Sequence, residues 1–160
     1  MPDTLVLLTL LIAANGAPIL VDDLLGRRWA WPVDGGLRWR DGRRLLGTSA
    51  TWRGVIAAVV VTAGLAFLLG HGLGTGALIG LLAMLGDAAS SFLKRRLGLE
   101  PGDAAFGLDQ VPESLLPLVA VAADYGLGWV DVALLVAAFT VFDLLVSRVL
   151  YRFRLRKRPY

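Results

Sequence analysis

Long apolar runs along almost the whole chain constrain its fold more than any other feature. A membrane-spanning helix needs about 20 mostly apolar residues. Five stretches reach or approach that length, at residues 5–25, 52–69, 75–93, 114–125 and 128–150. The fourth is short and suits either a tilted span or a re-entrant segment. The sequence therefore predicts an all-α, polytopic integral membrane protein with about five transmembrane helices.

The composition leaves little room for a separate soluble domain. Of the 160 residues, 56% are hydrophobic, whereas soluble domains are about 45–50% apolar. We expect a single membrane domain over residues 1–160, with cytoplasmic loops at residues 26–53 and 94–113. The first apolar run is preceded only by Asp3 as a charged residue and ends in Asp22-Asp23. This pattern indicates a retained helix and not a signal peptide.

The basic residues indicate the orientation. All 16 Lys and Arg fall in three groups, at residues 27–53, 94–96 and 148–158. Five spans place all three groups on one side, which the positive-inside rule makes the cytoplasm. The N-terminus is then outside and the C-terminus cytoplasmic, in a multi-pass protein of the cell (inner) membrane. Because the basic residues flank apolar runs, their partners are expected to be headgroups or phosphates, and no nucleic acid.

The chain contains no cysteine and one histidine, His71. Disulfides, thiolate metal sites, a cysteine nucleophile and a multi-histidine metal site within one chain are therefore excluded. His71 lies between two glycines, where a turn residue is a better interpretation than a ligand.

The third apolar run carries a polar face at its end. Asp87, Ser90, Ser91 and Lys94 share one side of a helix. A carboxylate within a membrane helix is costly, so Asp87 indicates a functional site. The alternative is an internal Asp87–Lys94 pair beside basic topology markers.

The loop after this helix is rich in carboxylates, at Glu100, Asp103, Asp109 and Glu113. Asp109 can fold back toward Asp87, and such a pair suits Mg²⁺, which takes few carboxylates and keeps bonds to substrate phosphates. The basic residues at 94–96 suit a polyphosphate. This mixture favours phosphoryl or nucleotidyl transfer.

Residues 31–54, WPVDGGLRWRDGRRLLGTSATWRG, combine glycines with arginines. Glycine permits close backbone approach to a ligand, and Arg43, Arg44 and Arg53 suit phosphates. The alternative is an interfacial loop anchored by Trp29, Trp31, Trp39 and Trp52. Elsewhere, Asn15 either hydrogen-bonds between helices or lines a lipid groove, and Asp143 either faces the bundle or pairs locally.

Together these motifs resemble the CDP-archaeol synthase family, which is related to the phosphatidate cytidylyltransferases. The resemblance is carried by Asn15–Pro18, PVDGG at 32–36, DGRRLLG at 41–47, TWRG at 51–54, GDAASSFLKRR at 86–96, Gly102 and Asp109-Gln110. It covers most of the chain in order, with little contribution from the fourth and fifth helices.

The resemblance implies a Mg²⁺-dependent cytidylyltransferase that converts CTP and a lipid phosphate to a CDP-lipid and pyrophosphate. By the same resemblance, Asp87 and Asp109 are the metal-linked carboxylates and, with Lys94, the catalytic residues. The nucleotide-binding residues that it implies are Ser91, Arg95, Asp34, Asp41, Arg43, Thr51 and Arg53. It further implies a homodimer.

Two positions depart from the family pattern. Ala50 stands where a lysine usually precedes Thr-Trp-Arg-Gly, and Pro112 stands where a second acid often follows Asp-Gln, with Glu113 one position later. The first departure removes a phosphate contact, and the second leaves the second metal ligand open. Two other functions compete with the enzyme: a non-catalytic membrane scaffold or lipid-binding assembly protein, and a small transporter.

Overall fold

The computed structural model describes residues 3–26, 28–99, 105 and 107–152, and in this part of the chain it contains five α-helices and no strand. They are α1 (Asp3–Leu25), α2 (Trp52–Leu68), α3 (Leu73–Arg96), α4 (Gln110–Val121) and α5 (Trp129–Arg152). The prediction of an all-α protein with five helices is confirmed. Several sequence-identified residues lie outside the described ranges: Arg27, Glu100, Gly102, Asp103 and the basic residues of 153–160.

Three helices are long and apolar enough to cross a membrane, at Asp3–Leu25, Leu73–Arg96 and Trp129–Val149. The shorter α2 and α4 have 17 and 12 residues. At 1.5 Å per residue, α4 is about 18 Å long, against a hydrocarbon thickness of about 30 Å. The multi-pass character of the chain therefore follows from the three long helices.

The helix boundaries around the predicted 94–113 loop differ from expectation. Helix α3 continues to Arg96, and α4 begins at Gln110 instead of Ser114. Pro112 does not prevent this start, because the amides of a helix's first turn have no partner within the helix. Lys94, Gln110 and Glu113 are consequently held on helices.

Helix α1 is the centre of the bundle and packs against each of the other four helices. Its buried residues Leu7, Leu10 and Leu11 belong to a core that also contains Ile79 and Phe139. Helix α5 packs on α4 and α1, and its described backbone makes no close approach to α2 or α3. A gap consequently separates α3 from α5.

Glycines allow α3 to approach both of its neighbours closely. A Cβ atom added to Gly76 would lie 2.4 Å from the Thr62 carbonyl oxygen of α2. One added to Gly86 would lie 2.4 Å from the Pro112 carbonyl oxygen of α4. The contact at Gly86 matters most for the site, because it brings the start of α4 beside Asp87.

The opposite end of the bundle is joined by a pair of aromatic side chains. His71 stacks on Tyr125 with ring centroids 5.5 Å apart, and the Tyr125 hydroxyl lies 2.8 Å from His71 Nδ1. This contact links the α2–α3 turn to the turn after α4, as expected for a turn residue.

Candidate active site

A cavity of about 530 Å³ lies between α1, α3 and α5, bordered by the first residues of α2 and α4. Its walls are apolar over the part that α1, α3 and α5 enclose, with Ile12, Ile19, Leu81, Met84, Leu85, Phe139, Phe142 and Val146. Its other end is polar, with Asn15, Asp22, Ser49, Thr51, Asp87, Lys94, Asp109, Gln110, Glu113, Asp143 and Ser147. One cavity thus joins an apolar channel to a charged end.

Asp87, Lys94 and Asp109 meet at the charged end of this cavity. Lys94 Nζ lies 2.6 Å from Asp109 Oδ1, and the two side chains are 12% and 22% exposed. Asp87, about two turns before Lys94 on α3, interacts electrostatically with both. The structure therefore brings together the three residues that the sequence assigned to catalysis.

Glu113 joins this group from α4. Its carboxylate lies close enough to Asp87, Asp109, Lys94 and Asp143 to interact electrostatically with each of them. The close contact of Gly86 with Pro112 explains the placement. Thus, although Pro112 is not an acid, a carboxylate one residue later lies beside Asp87.

Gln110 and Asp143 complete the polar end. The Gln110 side-chain nitrogen donates to Asp143 Oδ2 at 3.0 Å, so Asp143 faces the bundle interior from the middle of α5. Sequence reasoning left the direction of Asp143 open. The sequence signal for an inward-facing Asp143 was its position as a lone carboxylate within an apolar helix.

The cavity lining carries more carboxylates than basic side chains. Five carboxylates line it, and Lys94 is the one basic side chain among its described lining residues. Among the described residues, no group of three or more His or acidic side chains suits a metal ion by itself. Mg²⁺ usually takes one or two carboxylates together with substrate phosphates. The donor set around Asp87 therefore fits Mg²⁺ brought with a polyphosphate.

The loop before α2 contributes Thr51 and Ala50 to the cavity wall. Thr51 caps α2, because its hydroxyl accepts a hydrogen bond from the Gly54 amide at 3.3 Å. Ala50 is 9% exposed and presents only a methyl group to the cavity. The cavity lacks an ammonium at that point.

Arg53 lies outside the cavity lining and is engaged by the end of α1. Its Nε donates to Asp22 Oδ1 at 2.9 Å, and its two terminal nitrogens donate to the carbonyl oxygens of Gly26 and Arg28. These bonds fix the chain between α1 and α2. Its assignment to a nucleotide phosphate stays a prediction.

Asp34 organises the loop from within. Its carboxylate accepts hydrogen bonds from the Gly36 and Leu46 amides at 2.9 and 3.1 Å, and pairs with Arg44 at 3.0 Å. Burial by itself raises the pKa of Asp34, but the amide hydrogen bonds and the Arg44 charge outweigh it and hold the pKa below its usual value. Asp34 is therefore an ionised structural anchor of the loop.

The remaining nucleotide-binding candidates are not among the residues that line the cavity. Asp41 accepts a hydrogen bond from Arg96 Nη1 at 3.0 Å, and Arg43 Nη1 donates to the Arg95 carbonyl oxygen at 3.1 Å. Ser91 and Arg95 are 4% and 6% exposed. These contacts join the loop to the end of α3, and the nucleotide-binding roles of the four residues stay predictions.

Comparison with known proteins places this architecture in one family. Residues 5–160 match the sequence profile of the CarS-like CDP-archaeol synthases. A CDP-archaeol synthase of Hyperthermus butylicus is 35% identical over 158 residues, covering 92% of this chain and 88% of the relative. One of Sulfurisphaera tokodaii is 32% identical over 155 residues, covering 93% and 90%.

Other relatives match over a shorter length. A CDP-archaeol synthase of Thermococcus onnurineus is 39% identical over 109 residues, and the alignment spans only 61% of that relative. A solved structure, described as an intramembrane enzyme for archaeal membrane lipid biosynthesis, superposes with a TM-score of 0.70 at 31% identity. It covers 86% of this chain and 90% of its own. Profile, sequence relatives and fold agree, and the chain belongs to the CarS-like family of CDP-archaeol synthases.

Proposed function

We propose that the chain transfers the cytidylyl group of CTP to a membrane lipid phosphate of the archaeol type, giving a CDP-lipid and pyrophosphate. The observation that carries this proposal is the single cavity in which an apolar channel meets Asp87, Lys94 and Asp109. A lipid phosphate is likewise apolar at one end and charged at the other. Family membership supports the same reaction.

Three residues indicate how the lipid reaches the cavity. Leu81 and Leu85 of α3 and Phe142 of α5 line the cavity and are 45%, 51% and 40% exposed. They border the gap where α3 and α5 do not approach one another. The lipid phosphate is proposed to enter sideways through this gap, its phosphate leading toward Asp87.

The reaction needs little proton chemistry. An oxygen of the lipid phosphate attacks the α-phosphorus of CTP and forms a new P–O bond. The bond between the α-phosphorus and the oxygen bridging to the β-phosphate breaks, and its electron pair leaves on pyrophosphate. Because a phosphate monoester is already anionic near neutral pH, catalysis rests on positioning and charge stabilisation. Lys94 is placed to neutralise the leaving pyrophosphate.

Mg²⁺ is proposed as the cofactor, with Asp87 and Asp109 as its carboxylate ligands and Glu113 beside them. When bound, the cation would offset the charge of the substrate phosphates. Asp87, Asp109 and Glu113 interact electrostatically with one another, and a bound cation would offset their mutual repulsion.

The membrane arrangement is part of the same proposal. Five spans, with the N-terminus outside and the C-terminus in the cytoplasm, place the charged end of the cavity on the side where CTP is available. The basic residues of 27–53 and 94–96 support this orientation. Residence in the cell membrane follows from it, and a homodimer rests on the family resemblance.

Pyrophosphate release from purified protein with CTP, Mg²⁺ and a panel of ether- and ester-linked lipid phosphates tests the proposal. We expect turnover that requires all three components and is abolished by Asp87→Asn. Asp23→Asn, an exposed carboxylate one residue beyond Asp22 on α1, is the matched control. Absence of turnover across the panel would overturn the proposal. A cellular phenotype that survives Asp87→Asn and Asp109→Asn would favour the scaffold function.

A further inference from the structure

Asp143 is a charged residue in the middle of an apolar helix. A carboxylate at this position in a membrane helix is unfavourable unless a specific contact stabilises it. Its Oδ2 accepts a hydrogen bond from the Gln110 side-chain nitrogen at 3.0 Å. Asp143 thereby connects α5 with the first residue of α4.

The Gln110 amide group is fixed at both of its ends. Its nitrogen donates to Asp143, and its oxygen accepts a hydrogen bond from the Gly107 amide at 3.2 Å. An amide has one donor end and one acceptor end, so these two partners define its orientation. Gln110 is only 8% exposed. Its side chain bridges α5 and the turn at residues 107–109, and we call this Asp143–Gln110–Gly107 connection the strut.

This turn carries Asp109 into the site. Asp109 lies between Gly107 and Gln110 in sequence, and its carboxylate is 2.6 Å from Lys94 Nζ. Displacement of Gly107 would move the Asp109 carboxylate relative to Asp87 on α3. Small misplacements of a reacting group cost about 10²-fold in rate.

We propose that Asp143 is a positioning residue which, through Gln110, holds the 107–109 turn so that Asp109 faces Asp87 and Lys94. Its role is to accept the Gln110 hydrogen bond and not to bind the cation. This inference rests on the proposed function for its activity readout, but the strut itself is testable without turnover.

Four variants separate the two roles of Asp143. Asp143→Ala removes the acceptor, and Gln110→Glu sets two carboxylates against each other; each is expected to lower kcat by about 10- to 100-fold, as for residues that orient ligands. Asp143→Asn keeps an acceptor oxygen and is expected to stay within about fivefold of wild type. The double variant Gln110→Glu/Asp143→Asn reverses the donor and the acceptor, and should regain most of the loss caused by Gln110→Glu alone.

Amide hydrogen exchange of the peptide containing Gly107 supplies the readout that is independent of activity. Exchange should be faster in Asp143→Ala and Gln110→Glu, and return toward wild type in the double variant. Thr140→Ala is the control, because it removes a hydroxyl of the same helix that donates to the Val136 carbonyl oxygen.

The outcomes distinguish this inference from the proposed reaction. If the wild type releases no pyrophosphate, the reaction is wrong, while exchange still tests the strut. A large loss of Mg²⁺ affinity in Asp143→Asn, with unchanged exchange at Gly107, would make Asp143 a cation ligand and overturn the inference. Unchanged exchange in Asp143→Ala would overturn it as well.

Discussion

Lys94 Nζ lies 2.6 Å from Asp109 Oδ1, an ion pair between the last turn of α3 and the residue that precedes α4. Both side chains are mostly buried, at 12% and 22% exposure. The pair lies at the charged end of the cavity and places the Lys94 ammonium near the Asp87 and Asp109 carboxylates. Neutral replacement of Lys94 therefore leaves that end purely acidic.

We expect Lys94→Met to lower kcat/KM for CTP by about 10²–10³-fold, the usual effect of removing one group that stabilises developing charge. Lys94→Arg keeps the charge with a different shape and should retain more activity. Steady-state pyrophosphate release measures both. Wild-type kcat/KM in Lys94→Met would contradict a phosphate-facing role for this ammonium.

Arg53 and Asp22 are expected to act as one stabilising unit. Arg53 bonds Asp22 and two carbonyl oxygens at the end of α1, and the two side chains are 10% and 42% exposed. Arg53→Ala should lower the melting temperature more than Asp22→Ala, since it loses three partners. The coupling energy from a double-mutant cycle should be about 1 kcal/mol, because Asp22 is partly solvated.

The same variants test the nucleotide-binding prediction for Arg53. If Arg53 binds a phosphate of CTP, we expect KM for CTP to rise in Arg53→Ala and to stay unchanged in Asp22→Ala. Both variants are compared at temperatures where they are folded. Equal KM values in the two variants would assign Arg53 to the α1–α2 connection alone.

Asp34 gives the loop a pH-dependent stability. Its pKa lies below the ordinary value of 3.8 because the Gly36 and Leu46 amides and Arg44 outweigh its burial. A lowered folded-state pKa contributes stability that is complete above about pH 4–5 and is lost as pH falls through the folded value. Asp34→Ala should cost about 1.5–3 kcal/mol near pH 7, the range for hydrogen bonds to charged groups.

The difference in unfolding free energy between wild type and Asp34→Ala should shrink as pH is lowered below 4. Thermal melts in detergent across pH 3–7 measure it. Asp23→Ala, an exposed carboxylate, is the control and should show little change at either end. A constant difference over this range would mean that the Asp34 charge does not stabilise the loop.

Much of the fold could be predicted because apolar runs determine where helices lie. Four of the five helices begin within two residues of their predicted starts, whereas α4 begins four residues earlier, at Gln110. Its short apolar run gave no boundary signal. This earlier start matters for the site, because it places Gln110 and Glu113 on a helix that borders the cavity.

The site could be predicted where one helix carries it and where the following loop, with Asp109, folds back toward that helix. Asp87 and Lys94 share a helix face, so their proximity follows from spacing alone. Contacts between residues far apart in sequence, such as Gln110 with Asp143, depend on how α4 and α5 pack. They produce no periodic pattern in the sequence. The arginines show a different limit of sequence reasoning: Arg43 and Arg53 suit phosphates and backbone carbonyls equally well. In the structure they donate to carbonyl oxygens, and their phosphate-binding roles stay predictions.

The gap between α3 and α5 can be tested by chemical modification, because the chain has no native cysteine. Phe142 lines the cavity at this gap and is 40% exposed. A bulky methanethiosulfonate adduct on Phe142→Cys should raise KM for the lipid phosphate by about tenfold or more, since even single methylene groups in an apolar pocket change discrimination by about 10- to 200-fold. Binding of CTP should remain unchanged, and a reductant should restore turnover.

Leu145→Cys supplies the matched control for this experiment. Leu145 is 54% exposed on the same helix, three residues from Phe142, and does not line the cavity. Its adduct should leave KM for the lipid unaltered, and a small methyl adduct on Phe142→Cys should have an intermediate effect. If the bulky adducts at both positions change KM equally, the lipid does not enter between α3 and α5, and another opening must serve. If only the Phe142→Cys adduct is inhibitory and CTP binding persists, the gap is the lipid entrance.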